Sequence, residues 1–145
     1  MLKVGLIEMK DRILYRYLET NHYLCTIILT KMGINKLKVV LTEEAKAFLD
    51  AQPFKAQQKI YYNIFKVEEG VMKVDIFKKL ENTEIWEFRT LYNGICYRLF
   101  SFWDTEEETL VIATHGIVKK TQKTPLKEIA KAEEIRKEYF SNKKK

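Results

Sequence analysis

Five basic residues follow one another along the second half of the chain at a spacing that suits phosphate binding. Arg89 and Arg98 lie on consecutive predicted strands, and Lys119, Lys120 and Lys123 follow a third. An arginine fork binds phosphate through two parallel hydrogen bonds, whereas a lysine ammonium acts as a point charge. We interpret this set as a candidate site for a phosphate-bearing ligand.

Arg98 is the most unusual of these residues. On a strand it shares its face with Cys96, Phe100 and Phe102, all of which are apolar. An arginine in such surroundings requires a partner. The partner is either Glu87 on the neighbouring strand, in an ion pair, or a phosphate that the guanidinium fork binds. The residue pattern leaves both explanations open.

The lysines and the histidine beyond the third strand have two explanations each. Lys119, Lys120 and Lys123 precede a helix N-terminus, whose free amides favour anions, but lysines in a loop are also ordinary soluble surface. His115, at the predicted strand end, is either a proton carrier or a hydrogen-bonded end residue, and we favour the second explanation.

The elements that must position these residues follow the order β-α-α-β-β-β-α. Helical spacing and alternation predict one α+β domain, with an antiparallel meander sheet of about four strands packed against an N-terminal helical hairpin, plus a C-terminal helix. The predicted strands cover residues 36–41, 85–89, 95–102 and 109–114, with a tight turn at Asn93-Gly94.

Capping residues mark the predicted helix ends. Thr42 is the N-cap of the first helix, and Pro53 suits the first position of the second, which Gly70 ends. Thr124 is predicted to cap the final helix, with Pro125 in its first turn.

The N-terminal segment does not fit this plan. We predict that residues 1–31 are an appendage and that residues 32–145 form the domain. The alternative is that Tyr23–Leu29 pairs with the sheet as an extra edge strand.

Net charge concentrates at the C-terminus. Residues 116–145 carry ten lysines and arginines against four glutamates, so they account for the net +6 of the whole 145-residue chain. Such a block attracts polyanions or an acidic protein partner.

Several classes of protein are disfavoured. Cys25 and Cys96 are too isolated for a disulfide framework or a zinc site, and no glycine-rich phosphate loop is present. The longest apolar run, Tyr23–Leu29, is too short to span a bilayer. We expect no metal, no cofactor and no membrane segment, and a cytoplasmic location.

Three strings carry a family resemblance: IWEFR at 85–89, NGICYRLF at 93–100 and THGIVKKTQKTP at 114–125. In this order before a terminal helix, they resemble the RelE/ParE superfamily of toxins from bacterial type II toxin-antitoxin pairs. More narrowly, they are similar to its HigB-like, phage-derived branch. The resemblance covers about residues 36–140.

The resemblance implies a RelE-like fold and a ribosome-dependent mRNA endonuclease that inhibits translation. In such toxins the 2′-hydroxyl attacks the adjacent phosphate without a metal. Arg98 matches the arginine that contacts the scissile phosphate, and Lys120 matches a basic residue that supports the leaving side. Arg89 and Lys119 are neighbouring basic positions of the same motifs, and all four are expected to be catalytic.

The resemblance also implies RNA-binding positions and leaves the acid and base unassigned. Lys123, Trp86, Tyr92 and His115 are expected to bind RNA, the aromatic rings by stacking on bases. Tyr92, Tyr97 and His115 are the candidates for the general acid and base.

The chain also departs from RelE itself. Trp86, Glu87 and Phe88 stand on a strand where RelE has lysines, and Pro125 and Leu126 stand where it has a tyrosine.

Partners follow from the same resemblance. A helix-turn-helix antitoxin of the HigA-like type and mRNA on the ribosome are the expected partners, with a toxin-antitoxin hetero-oligomer. Two alternatives remain: a ParE-like inhibitor of DNA gyrase, and an inactive protein that only binds an antitoxin.

Overall fold

The computed structural model describes residues 7–8, 37–106, 110–119 and 123–144, which form six strands and three helices. In chain order these are β1 (Ile7–Glu8), β2 (Lys38–Leu41), α1 (Glu43–Asp50), α2 (Phe54–Glu68), β3 (Phe77–Lys79), β4 (Trp86–Tyr92), β5 (Ile95–Trp103), β6 (Leu110–Lys119) and α3 (Leu126–Lys143).

The strands form one mixed sheet in the order β1-β2-β6-β5-β4-β3. Strands β3 to β6 pair antiparallel in sequence order, and the antiparallel pairing of β4, β5 and β6 agrees with the prediction. The prediction of a purely antiparallel meander is wrong, because β2 pairs parallel with β6, with Val39 beside Val111. The sheet is also wider than predicted, since β3 and the two-residue β1 add its edges.

The first two helices pack on one face of the sheet. Thr42 caps α1 as predicted, since its Oγ1 accepts a hydrogen bond from the Ala45 amide at 3.1 Å. Pro53 is the N-cap of α2 and not its first residue, so the helix begins at Phe54, one residue later than predicted. The predicted helical hairpin is not confirmed, because the main contacts of both helices are with the strands. The core on this face includes Leu49, Ile64 and Leu99, among others.

The opposite face carries α3. Phe100, Phe102 and Ile112 pack against Ala132 and Tyr139 of the helix. Burial of apolar side chains on both sides makes the sheet the central layer of the fold.

The far end of α3 is fixed by a buried carboxylate. Asp104, fully buried after β5, accepts hydrogen bonds from the Tyr139 hydroxyl at 2.6 Å and the Lys143 ammonium at 2.5 Å. These charge-assisted bonds raise the pKa of Lys143, and they hold the helix across the sheet.

A β-bulge in β6 decides which side chains share a face. Phe100 pairs with His115, but the next residue of β5, Ser101, pairs with Ala113, so Thr114 is the extra residue. Without it, Lys119 would lie on the same face as Ala113, because strand side chains alternate. With it, Lys119 lies on the face of Arg98.

Two residues of the predicted appendage are described. Ile7 and Glu8 pair antiparallel with Leu41 and Val40 at the sheet edge. Tyr23–Leu29 lies outside the described residues, and the domain boundary near residue 31 stays a prediction. Within the described ranges, no helix is both long and apolar enough to cross a membrane.

Gly116 allows α1 to approach the sheet closely, which gives a first prediction. A Cβ at this position would lie 2.1 Å from Cδ1 of Phe48. We expect Gly116→Ala to lower the free energy of unfolding by about 1 to 3 kcal/mol, because the ring must be displaced. Urea denaturation measures this. In the Phe48→Leu background the same substitution should cost less, and an equal cost in both backgrounds would contradict the clash.

Candidate functional site

A buried carboxylate lies at the centre of the predicted basic set. Glu87 lies in β4 on the α3 face of the sheet, with its side chain only 4 % exposed. Its Oε1 is 3.4 Å from Nε of Arg89 and 3.5 Å from Nε of Arg98. The ion pair between Arg98 and Glu87, one of the two explanations from the sequence, is therefore confirmed.

The two arginines lie opposite each other on neighbouring strands, Arg89 on β4 and Arg98 on β5. Their other contacts are long: Nη1 of Arg98 donates to the Tyr97 carbonyl at 3.5 Å, and Nη1 of Arg89 to the Val74 carbonyl at 3.3 Å. Both Nε atoms are buried and make no hydrogen bond within the part of the chain that the structure describes. Their hydrogen-bonding capacity is thus incompletely used.

Lys119 completes the cluster through a threonine. Its ammonium donates to Oγ1 of Thr124 at 3.2 Å, and that hydroxyl donates to Oε2 of Glu87 at 3.1 Å. The prediction of Thr124 as a helix cap is wrong, since Pro125 holds the N-cap position of α3 without a side-chain cap. We call Glu87, Arg89, Arg98, Lys119 and Thr124 the Glu87 cluster.

Lys119 differs from its prediction in two respects. It is the last residue of β6 rather than part of a loop, and it is 5 % exposed rather than surface. Burial lowers its pKa, the charge of Arg98 lowers it further, and Glu87 opposes both effects. A lysine with a lowered pKa gives up its proton more readily near neutral pH, so it suits proton donation.

A cleft of about 350 Å³ opens beside the Glu87 cluster. Arg89, Arg98 and the partly exposed Cys96 lie on one side of it, while Lys59 and Asn63 of α2 lie on the other. The arginines are therefore accessible from this side of β4, although they are largely buried. This geometry favours an anionic ligand.

His115 lies in the interior of β6 rather than at a strand end. It is 2 % exposed, and its ring nitrogens lie 3.0 Å from Thr114 Oγ1 and 2.9 Å from Glu128 Oε2. Its ring packs against Phe100. Burial lowers its pKa, and the Glu128 hydrogen bond opposes this. The favoured explanation, a hydrogen-bonded histidine, agrees with this geometry, which leaves little of the ring for RNA.

The predicted aromatic residues do not join the Glu87 cluster. Trp86 and Tyr92 pack with the core on the opposite face, where Trp86 stacks on Phe77 with ring centroids 4.8 Å apart. Tyr97 is buried on that face too. Stacking of RNA bases on Trp86 or Tyr92 stays a prediction. It would require RNA to contact the opposite face of the sheet as well as the Glu87 cluster.

The remaining predicted lysines are Lys123 and Lys120. Lys123 is exposed, next to Thr124. Lys120 lies outside the described residues, so its predicted catalytic role stays a prediction.

Sequence reasoning missed the contribution of Thr124, Lys59 and Asn63. The sequence signal at Thr124 is a hydroxyl before a proline, which equally predicts a helix cap. Lys59 and Asn63 lie four residues apart on one side of α2, and no local pattern distinguishes them from other polar residues of a surface helix. Only the packing of α2 on β4 brings them to the cleft.

The fold and the cluster together define a class of small α+β protein with one mixed sheet. Its basic cluster lies on the sheet between the start of the C-terminal helix and the uncovered edge of β4. The family model described as phage derived protein Gp49-like matches residues 47–137, which is more than half of the chain. The chain belongs to this family, which is a family of RelE-like toxins. No curated protein matches the sequence.

The buried carboxylate gives a second prediction. Glu87→Gln keeps the shape of the side chain but leaves two buried cations, Arg98 and Lys119, and the partly buried Arg89 without their counter-charge. We expect a loss of about 3 kcal/mol or more in the free energy of unfolding, because removing one partner of a buried pair exposes the full desolvation cost of the other. Chemical denaturation measures it, with the exposed Glu84→Gln as the matched control. Equal stability of the two variants would show that Glu87 does not hold the cluster.

His115 gives a third prediction. Since its pKa is lowered, folding favours the neutral ring, and this contribution to stability is lost as the pH falls below the ordinary histidine value of 6.5. In a His22→Gln variant, which leaves one histidine, the NMR titration midpoint should lie below 6.5. Glu128→Gln should lower it further, because Glu128 raises this pKa. A midpoint at or above 6.5 would contradict the burial effect.

Proposed function

We propose that this protein is the toxin of a type II toxin-antitoxin system, of the HigB-like branch, and acts as a ribosome-dependent mRNA endonuclease. The observation that carries the proposal is the Glu87 cluster, in which Arg89, Arg98 and Lys119 converge on one carboxylate. Three cations around one anion leave a formal charge of +2. Such a surplus matches a phosphate that gains negative charge during cleavage.

The reaction requires charge stabilisation and proton transfer. The 2′-hydroxyl gives its proton to a solvent water and attacks the adjacent phosphorus. A P–O2′ bond forms, negative charge builds on the phosphoryl oxygens, and the P–O5′ bond breaks to leave a 2′,3′-cyclic phosphate and a 5′-hydroxyl. Arg98 and Arg89, already oriented by Glu87, stabilise this charge without a large rearrangement. Lys119, whose pKa is lowered, donates the proton to the leaving 5′-oxygen. Lys120 is proposed to support the leaving side on the basis of the motif alone.

The proposed partner is a helix-turn-helix antitoxin of the HigA-like type that forms a hetero-oligomer with this protein. The net positive charge of residues 116–145 supports an acidic partner or RNA at this end of the molecule. A cytoplasmic location is part of the same proposal, since the proposed substrate is mRNA on the ribosome.

Cleavage of mRNA gives the fourth prediction. In a reconstituted translation reaction, primer extension on a reporter mRNA should show cuts that require ribosomes. Arg98→Ala should reduce the cleavage rate by about 100- to 1000-fold, because loss of one preorganised donor to the developing charge has an effect of that order. Lys119→Gln should reduce it as well, by removing the proton donor.

The matched control is Lys127→Ala on the exposed side of α3, which should cleave like the wild type. Circular dichroism of each variant establishes that it is folded. Intact mRNA with the wild-type protein would contradict the proposal, and a parallel DNA supercoiling assay would then test inhibition of gyrase. Inactivity in both assays would favour a protein that only binds an antitoxin.

A further inference from the structure

The cleft beside the Glu87 cluster lies where the sheet has an uncovered edge. Strand β3 pairs with β4 only from Trp86 to Phe88, and the last contact on that side is the Arg89 amide donating to the Ile76 carbonyl at 2.7 Å. Beyond this point β4 continues to Tyr92, paired with β5 on its other side, but no strand among the described residues lies on the side of β3. The cleft opens along this uncovered part.

Side chains of α2 occupy the hydrogen-bonding groups of this edge. Nζ of Lys59 donates to the Leu91 carbonyl at 2.5 Å, and Nδ2 of Asn63 donates to Thr90 Oγ1 at 3.0 Å and to the Arg89 carbonyl at 3.4 Å. An added strand would compete with these bonds for the two carbonyls. The edge is therefore better suited to a ligand bound by side chains than to a β-strand.

The lining of the cleft is cationic. Lys59, Arg89 and Arg98 face it against a single carboxylate, Asp75. Arg98 is 4 % exposed, and its buried Nε makes no hydrogen bond within the described residues; the same holds for Nε of Arg89. Among those residues, the acceptor near both Nε atoms is Glu87 Oε1, at 3.4 and 3.5 Å, which is an ion-pair distance without a hydrogen bond. A ligand with acceptor oxygens would add hydrogen bonds that the two guanidinium groups now lack.

The dimensions and the walls of the cleft fit one nucleotide unit. Its volume of about 350 Å³ falls at the lower end of small-ligand sites. Ile76 and Leu91 add apolar surface, and Leu91 is 59 % exposed. Apolar contact for a sugar or base beside cations for a phosphate is the pattern of single-stranded nucleic-acid grooves.

We propose that this cleft binds the RNA phosphodiester next to the one that is cleaved, with Lys59 as the residue that binds its phosphate. The inference rests on the proposed function, because it takes RNA as the ligand. RNA is favoured over an acidic peptide because Arg89 and Arg98 belong to both the cleft and the Glu87 cluster. An RNA strand that places one phosphate at the cluster can therefore place the neighbouring phosphate in the cleft.

Direct binding of an uncleavable RNA tests this inference independently of cleavage. Fluorescence anisotropy with a short single-stranded RNA, 2′-O-methylated throughout, gives affinities for the full-length protein at several salt concentrations. We expect Lys59→Gln to weaken binding by roughly 5- to 10-fold and to reduce the slope of log affinity against log salt by about 0.7, the value for one phosphate contact on a single strand. Lys59→Arg should retain most of the affinity.

The matched control is Lys55→Gln, one turn earlier on α2 and also exposed, which changes the net charge equally. Equal weakening by both glutamine variants, or a Lys59→Gln slope like that of the wild type, would overturn the site. Absence of RNA binding with tight binding of polyglutamate would overturn it in favour of an acidic protein partner.

The outcomes separate this inference from the proposed function. RNA binding that depends on Lys59, combined with uncut mRNA in the translation reaction, would support the cleft and contradict the nuclease. Cleavage with an unchanged KM in Lys59→Gln would support the nuclease and overturn the cleft.

Discussion

The buried carboxylate of Glu87 is the interaction on which the site depends. Three cations, two of them arginines on neighbouring strands, lie beside this one anion, and each has lost most of its contact with water. Without the carboxylate, the mutual repulsion of these cations in a low-dielectric region would oppose folding. With it, the arginines are held in place but their donors are not fully used, which is the state of a site prepared for another anion.

The rest of the fold brings these groups to one place. The bulge at Thr114 moves Lys119 to the face of Arg98, and the Thr124 hydroxyl joins Lys119 to Glu87 just before α3 begins. The buried Asp104 holds the other end of that helix, so α3 is fixed at both ends. Stability and chemistry are therefore coupled, because Thr124, at the start of α3, also bonds to the carboxylate at the centre of the Glu87 cluster.

Much of the architecture was predictable from local patterns. Alternation located β4, β5 and β6, the Asn93-Gly94 pair gave the tight turn, with φ of 53° and 77°, and Thr42 capped α1. These signals depend on neighbours within a few residues. The parallel pairing of β2 with β6 was not predictable in this way, because it joins residues about seventy positions apart. Their apolar side chains are equally compatible with several strand orders and directions.

The sequence by itself determined that Arg98 lies on an apolar face and needs a partner, because side chains of a strand alternate with a period of two. It also determined the order of the basic motifs, from which the resemblance to RelE-like toxins arose. Only the tertiary structure decided that Glu87 is that partner and that Lys119 is buried. It also decided that the Thr124 hydroxyl donates to the Glu87 carboxylate and does not cap the helix. The reason is physical: a bulge and a charge cluster depend on long-range pairing, which no local pattern specifies.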